Sequence, residues 1–515
     1  MANNISEAYQ LAMYVLDQYR GTSVSCRYKI PPRFAAPEAN LDLVCAVENA
    51  VADVVLKHPM LQVGIKDADS KNPTWIQLNN IDLSRHITWV VLNSSQGFDD
   101  TSQETTMSEI DGIFPELESR PGWRVVVVHQ ESTGLLEIHF TWNHPHADGI
   151  SGKIFQGNLC QSLNNQRRIG QNIRESSSSS KILTAKASTQ LPPSIEDTCK
   201  LPVALSYIMK MIWEELGPAK LVWARSSLAR WAPFQLSPYK TQFRAFSINN
   251  ETLDRILFSC RRNKTSLTGL LHGLTLVSLA SHVDEEAASA FEGGTTVDMR
   301  RFMTSNPPGY LWLQPEKTMS NYVTLMAHKF DRSVVNGIRL ELSSNTNTND
   351  NGPVSLSAKL MEQMWSVSTK VRDEITQKIE GGLKNDPVGV MKFVGDWRKQ
   401  MTDAAQRPRQ FSWWVTGIGV LDERAMPTDT TTSLSPGAPA SSSETWAIHR
   451  AQFALSAETT AAAFMISPMT AAGEQLCVGV SWQDSICDVS LGERIVADLD
   501  LWLNQIASLC DEFSA

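Results

Sequence analysis

Two histidines and an aspartate fall within one short stretch of this sequence, His144-Pro-His-Ala-Asp148-Gly149. A neutral imidazole has a pKa of about 6.5 and can accept a proton at pH 7, so a histidine here can act as a general base. An aspartate four residues later can brace the loop or orient the ring. A polar surface loop and a metal site formed by His144, His146 and Asp148 remain alternatives. The metal site is the weaker of the two, because no Cys or His cluster elsewhere has the spacing of metal ligands.

The neighbouring elements are predicted to place this stretch at the end of a strand. Residues 136–143 alternate between apolar and polar side chains, residues 123–130 predict a second strand, and 131–134 form a short turn between the two. Downstream, apolar residues recur at roughly helical spacing: Ile150, Ile154, Leu159 and Leu163. Asp148 or Ser151 can cap that helix. The histidines are therefore expected in a tight strand-to-helix connection, where a ring can point into a cleft.

The stretch resembles the HxxxDG motif of the CoA-dependent acyltransferase superfamily. That superfamily includes plant BAHD acyltransferases, chloramphenicol acetyltransferase and peptide-synthetase condensation domains, and the sequence looks closest to the fungal alcohol acetyltransferase family. The active-site histidine of the family aligns with His144, and its aspartate aligns with Asp148. Many members have two adjacent histidines, whereas this chain has Asn143 at the first position. His146 is additional.

Three later segments extend the resemblance over most of the chain. Gly293-Gly-Thr-Thr-Val-Asp-Met-Arg300 resembles the family's VDxR segment, which implies that Arg300 pairs with Asp148, with Arg301 as the competitor. Residues 319–323 resemble a segment with a small residue, Asn and Tyr before a strand. Residues 411–419 resemble the family's (S/T)NxG turn.

In that last segment Thr416 matches the family pattern, and Gly417 replaces the family's Asn. The resemblance therefore implies Thr416 as a hydrogen-bond donor to the oxyanion of the reaction. Gly149, which follows the aspartate of the motif, is a second candidate for oxyanion or substrate binding.

The resemblance implies a mixed α/β (α+β) fold of two chloramphenicol-acetyltransferase-like domains. Each would be a mainly antiparallel sheet flanked by helices, with the active site at the interface between them. A chain of 515 residues is too long for one core, which agrees with two domains. We expect an N-terminal domain at 1–187 that carries the motif and a C-terminal domain with crossover segments at 188–515. Polar, low-complexity stretches at 165–200, 343–352 and 428–443 predict loops or connections.

The implied function is O-acyl transfer, expected to be acetyl transfer, from acyl-CoA to the hydroxyl group of a small, apolar secondary-metabolite alcohol. His144 would act as the general base in a direct ternary-complex mechanism, acetyl-CoA would be the co-substrate, and no metal would be required. Two alternatives stay open. One is a condensation-type reaction with an amine acceptor or a carrier-protein thioester. The other is a non-transferring binding or cyclisation scaffold, which Asn143 and Gly417 keep open.

Composition and missing motifs narrow the class of protein. A net charge of −9 argues against a nucleic-acid surface as the main function. The eight cysteines include no CxxC pair and are expected as reduced thiols. GxSxG, GxxxxGK[ST] and GxGxxG motifs are missing, so the sequence lacks the nucleophile elbow and the phosphate-binding loops. With no signal peptide and no apolar run of about 18 residues, we expect a cytoplasmic monomer without a membrane span.

Overall fold

The computed structural model describes residues 5–34, 39–93, 96–169, 181–185, 190–222, 225–345, 355–422 and 445–509. The predicted loop at 428–443 lies outside these residues, as do 170–180 and 186–189 of the stretch 165–200 and residues 346–352 of the stretch 343–352.

The described residues form strands and helices in alternation along much of the chain. The strands are β1 (Gly21–Lys29), β2 (Val63–Lys66), β3 (Thr74–Gln77), β4 (Asn80–Asp82), β5 (Ile87–Leu92), β6 (Trp123–Gln130), β7 (Leu135–Asn143), β8 (Ile182–Thr184), β9 (Thr241–Asn249), β10 (Phe291–Asp298), β11 (Val323–Phe330), β12 (Phe411–Val415), β13 (Gly419–Leu421), β14 (Ala447–Leu455), β15 (Ala462–Ala471) and β16 (Gln475–Gln483). The helices are α1 (Ile5–Val15), α2 (Asn40–Lys57), α3 (Phe98–Asp111), α4 (Gly149–Ile169), α5 (Ile195–Thr198), α6 (Leu205–Leu216), α7 (Ala219–Val222), α8 (Asn250–Arg262), α9 (Leu267–His282), α10 (Arg332–Asn345), α11 (Ala358–Glu380), α12 (Pro387–Met391), α13 (Trp397–Ala404) and α14 (Val489–Ser508).

The first large sheet has the strand order β14-β1-β7-β6-β5 and is antiparallel except for the β5–β6 pair. In β7 the apolar side chains of Ile138, Phe140 and Trp142 lie on one face, as the period-2 pattern predicts, and helix α4 packs there. The rings of Phe140 and Phe155 of α4 stack with centroids 3.7 Å apart. Strand β14 comes from the C-terminal half of the chain, so the sheet that carries the motif is completed from beyond residue 188. The expected boundary at 187/188 stays a prediction.

The second large sheet has the order β11-β10-β12-β15-β16-β9, with β13 beside β15. It combines antiparallel pairs with parallel pairs on both sides of β12. Helices α8, α9, α11 and α14 pack together and share a buried apolar core with this sheet. The predicted mixed α/β fold with sheets flanked by helices is thus confirmed. In the part of the chain that the structure describes, every helix is too short or too polar to span a bilayer.

Strand ends from the two sheets meet at the stretch singled out in the sequence. Strand β7 ends at Asn143 and α4 begins at Gly149, so residues 144–148 form the predicted strand-to-helix connection. From the second sheet, β10 ends just before a short 3-10 helix, Met299–Phe302, and β12 ends just before Thr416. The fold therefore brings side chains from both halves of the chain to one place.

Candidate active site

The loop that carries His144 is fixed by hydrogen bonds at both ends. At its start, the Asn143 N–H donates to the Gly122 carbonyl at 2.7 Å. At its end, the indole N–H of Trp142 donates to the Ala147 carbonyl at 2.7 Å, and Trp142 itself is fully buried. Because strand and loop are tied together in this way, the backbone of His144 has little freedom.

The His144 ring is partly exposed and lines a cavity between the two halves of the chain. Its ring centroid lies 5.5 Å from that of Tyr19. The side-chain amide of Asn321 lies 3.3 Å from His144 Nδ1 and donates to the His144 carbonyl at 3.2 Å. Burial lowers the pKa of His144 to about 4, although the charge of Asp148 and a hydrogen bond to its own backbone carbonyl act in the opposite direction. The ring is therefore neutral at pH 7 and holds a free lone pair.

Asp148 is buried and ion-paired with Arg300. Arg300 Nη1 lies 2.6 Å from Asp148 Oδ2, and Nη2 lies 3.1 Å from Oδ1. The carboxylate also accepts from the backbone N–H groups of Ser151 and Tyr322, each at 2.9 Å, and from the Ser151 hydroxyl at 2.8 Å. The first of these bonds caps α4. Among the described residues, its hydrogen-bond partners do not include the His144 ring.

The pKa of Asp148 reflects two opposing effects. Burial alone would raise it, but the charge of Arg300 and the hydrogen bonds lower it below the ordinary value of 3.8. Asp148 is therefore ionised at neutral pH and acts as an acceptor only.

Arg300 is held as firmly as its partner. Its guanidinium also donates to the carbonyl groups of Thr318 and Ser320, at 3.1 and 3.0 Å, and to Asp298 at 3.1 Å. Arg301 is exposed and donates to the Asp298 carbonyl instead. Of the two arginines considered from the sequence, Arg300 is the one that contacts Asp148.

His146 lies away from the cavity. It is fully buried, its Nε2 lies 3.2 Å from the Gly122 nitrogen and 3.1 Å from the Val63 carbonyl, and its ring meets that of Trp75 edge-on at 4.9 Å. Burial lowers its pKa to about 4. These contacts connect the loop to β2 and suit a structural side chain. Within the described residues there is no group of three or more His, Cys, Asp and Glu side chains that could hold a metal ion.

The two remaining predicted residues, Thr416 and Gly149, also line the cavity. The Thr416 hydroxyl accepts a hydrogen bond from Thr296 at 3.1 Å, which leaves its own proton available. Gly149 is the first residue of α4, where backbone N–H groups lack acceptors within the helix. A Cβ atom at Gly149 would lie 2.6 Å from Ile418 and 2.8 Å from Phe453, so any larger residue would have to displace these side chains.

The cavity has a volume of about 330 Å³ and mostly apolar walls. Both halves contribute apolar side chains: Leu325, Val388, Trp397, Trp414, Ile418 and Phe453. The polar groups on its surface include His144, Thr416 and Asn321. Such a space suits a mostly apolar molecule that presents one reactive group to the histidine.

Sequence reasoning missed two residues that contact His144. Asn321 lies in the segment 319–323 that had been recognised as family-like, but no role had been assigned to it. Tyr19 precedes β1, and nothing in its local sequence indicates contact with a loop more than a hundred residues away.

In comparisons with known proteins, this chain is similar to alcohol acetyltransferases. Residues 93–310 match the family model for alcohol acetyltransferases. The chain is 24% identical over 466 residues to "Probable alcohol acetyltransferase FCK4" of Fusarium pseudograminearum, with 89% of this chain and 85% of that protein covered.

Two solved structures have a similar fold. The trichothecene 15-O-acetyltransferase TRI3 of Fusarium sporotrichioides superposes with a TM-score of 0.64 at 14% identity, covering 98% of this chain and 93% of that one. The condensation domain of the monacolin K polyketide synthase MokA superposes with a TM-score of 0.57 at 10% identity, covering 99% and 97%. At these identities the two structures establish the fold alone.

Proposed function

We propose that this chain, an acyltransferase similar to the alcohol acetyltransferases, transfers an acetyl group from acetyl-CoA to a small, mostly apolar alcohol of secondary metabolism. One observation carries the proposal. A neutral imidazole, His144, faces a largely apolar cavity at the meeting point of both halves of the chain, on a loop held by a buried ion pair.

In the proposed reaction, His144 removes the proton from the acceptor hydroxyl group. The neutral ring has one unprotonated nitrogen, and its lone pair accepts the proton in this step. The alcohol oxygen attacks the thioester carbonyl carbon, the C–S bond breaks, and the imidazolium returns its proton to the CoA thiolate. No acyl-enzyme forms. General-base catalysis of this kind contributes roughly 10²–10⁴-fold to the rate.

The negative charge that develops on the thioester oxygen requires a hydrogen-bond donor. We propose the Thr416 hydroxyl as this donor. Its oxygen already accepts a hydrogen bond from Thr296, so the proton of Thr416 can be donated to another acceptor. The backbone N–H groups at the start of α4, beginning with Gly149, are a second source of positive potential. Asp148 and Arg300 hold the loop and do not contact the substrates.

The direct test is incubation of the purified protein with acetyl-CoA and a panel of alcohols and amines, with CoA release and product mass as readouts. We expect CoA release that depends on an alcohol. His449→Ala is a matched control for His144→Ala, because His449 is also partly exposed but does not line the cavity. Transfer only to amines, or only from a carrier-protein thioester, would indicate the condensation-type reaction. No transfer from either donor would indicate a binding scaffold.

A further inference from the structure

The cavity contains a carboxyl group that the proposed reaction does not use. Glu458 follows β14, is 5% exposed and lines the cavity together with His144. Two other carboxylates on the cavity wall, Asp148 and Asp298, are both ion-paired with Arg300. Glu458 differs from them because it forms no ion pair with any residue that the structure describes.

The groups around Glu458 come from three separate parts of the chain. From α1, the Tyr9 hydroxyl hydrogen-bonds to it, and from the segment before β1, Tyr19 lies close enough to sense its charge. The cation whose charge acts on it is Arg409, just before β12, but that guanidinium donates to the carbonyls of Ala232, Ala461 and Ala462 at 2.7, 3.1 and 3.0 Å. Arg409 is thus already bound elsewhere.

The protonation state follows from this environment. Burial raises the pKa of Glu458 to about 8, and the opposing effects of Arg409 and Tyr9 do not cancel it. At pH 7 the carboxyl group is mostly protonated. A protonated carboxyl group has one O–H donor, whereas an ionised one only accepts.

We infer that Glu458 determines acceptor specificity by donating a hydrogen bond from its carboxyl group to a second oxygen of the alcohol, such as a ketone or ether oxygen. This inference rests on the proposed function and specifies its acceptor. Tyr19 lies beside His144 and senses the charge of Glu458, and all three residues line the same cavity, so one acceptor can present an oxygen to each of the two polar groups. The apolar walls would hold the carbon skeleton between the two oxygens.

A polar group in an apolar site discriminates strongly, because an analogue that lacks the matching oxygen leaves the site group unpaired. The test uses acetyl-CoA with octan-1-ol and the series of its monoketone and monoether analogues, and compares kcat/KM within the series at pH 7. We expect at least one oxygenated analogue to exceed octan-1-ol by about tenfold or more. This preference, the ratio of kcat/KM for the oxygenated analogue to kcat/KM for octan-1-ol, should fall as the pH rises through about 8. Ionisation of Glu458 removes the O–H group that donates the hydrogen bond.

Two variants and a control separate the hydrogen bond from other effects. Glu458→Gln keeps a donor but cannot ionise, so it should keep the preference and lose its pH dependence. Glu458→Met should reduce the preference to near one, because the matching oxygen then has no hydrogen-bond donor. Glu292→Gln is the matched control, since Glu292 is fully buried but lies away from the cavity, where it accepts from Gln410 at 2.9 Å.

The outcomes distinguish this inference from the function on which it rests. If no alcohol releases CoA, the proposed function fails and the inference fails with it. If alcohols react but the wild-type preference is near one across the series, or survives in Glu458→Met, only the inference is overturned. A preference for acceptors with an ammonium group that is lost in Glu458→Gln would also overturn it, because Glu458 would then bind as an anion.

Discussion

The pair of Asp148 and Arg300 gives the sharpest test of how the site is held. Asp148→Ala removes two charge-assisted hydrogen bonds, of 2.6 and 3.1 Å, and strands the guanidinium in a site where its side chain is 3% exposed. Removing one partner of a buried ion pair costs roughly 3–5 kcal/mol. In this variant Arg300 still has Asp298 as an ion-pair partner at 3.1 Å. We therefore expect the free energy of unfolding to fall by about 3 kcal/mol, near the lower end of that range.

Arg300→Ala should cost more, about 5 kcal/mol, because Asp148 then keeps only neutral donors for its buried charge. The double variant strands neither charge. We therefore expect the double variant to lose about 3 kcal/mol less unfolding free energy than the two single variants lose together. Asp148→Asn should lose less than Asp148→Ala, since the amide oxygen still accepts from the backbone.

Local opening of the loop can be measured by hydrogen–deuterium exchange of peptides that cover residues 144–152, read beside acyl transfer. Glu251→Ala is a control, because it removes an exposed ion pair with Arg255 and should change stability by less than about 1 kcal/mol. Additive effects of Asp148→Ala and Arg300→Ala would refute the pairing. If Asp148→Ala lost acyl transfer while residues 144–152 exchanged hydrogen at the wild-type rate, the structural role of Asp148 would be refuted. Direct orientation of the His144 ring by Asp148 would then be favoured.

Four further predictions concern the histidines, the glycine and the metal. His144→Ala should lower transfer at least about a hundredfold with the fold intact, whereas His146→Ala should mainly lower the thermal midpoint; swapped phenotypes would mean that the wrong histidine was assigned. Since the pKa of His144 is lowered to about 4, kcat/KM should fall only as the pH drops towards 4, and a midpoint at its ordinary value of 6.5 would contradict this. Gly149→Ala, which introduces a methyl group 2.6 Å from Ile418, should destabilise by about 1–3 kcal/mol and raise KM, while Gly395→Ala, with open space around its Cβ, should do neither. Chelation should leave activity unchanged, and a loss restored by one metal ion would overturn the metal-free mechanism.

The elements next to the motif could be predicted from the sequence because their signals are local. The period-2 pattern of 123–130 and 136–143, with a turn between them, matches β6 and β7, and the helical spacing after Gly149 matches α4. Of the two predicted capping residues, Asp148 is the one that caps this helix, since its carboxylate accepts from the backbone N–H of Ser151. Such patterns depend only on neighbours within a few residues.

What the sequence left open depends on contacts between distant segments. Strand β14 pairs with β1 across more than four hundred residues, and no local pattern specifies that partner. Likewise, Tyr19, Asn321 and Glu458 reach the cavity only because both halves close around it. Arg300 and Thr416 could be named in advance only through family resemblance, since an arginine or threonine after a strand has no distinctive pattern of its own.

The geometry around His144 reconciles two requirements that conflict in an apolar cavity. The burial that favours apolar substrates also lowers the pKa of the ring and so disfavours the imidazolium that must form when it takes a proton. Asp148 counters this, because its charge raises the pKa of His144, while Arg300 binds the carboxylate and makes its burial tolerable. If Asp148 hydrogen-bonded the ring directly, it would strengthen this effect at the expense of its bonds to Ser151 and Tyr322, which fix the loop. The Asp148–Arg300 pair therefore fixes the backbone of the loop and also offsets part of the decrease in the pKa of His144 that burial causes.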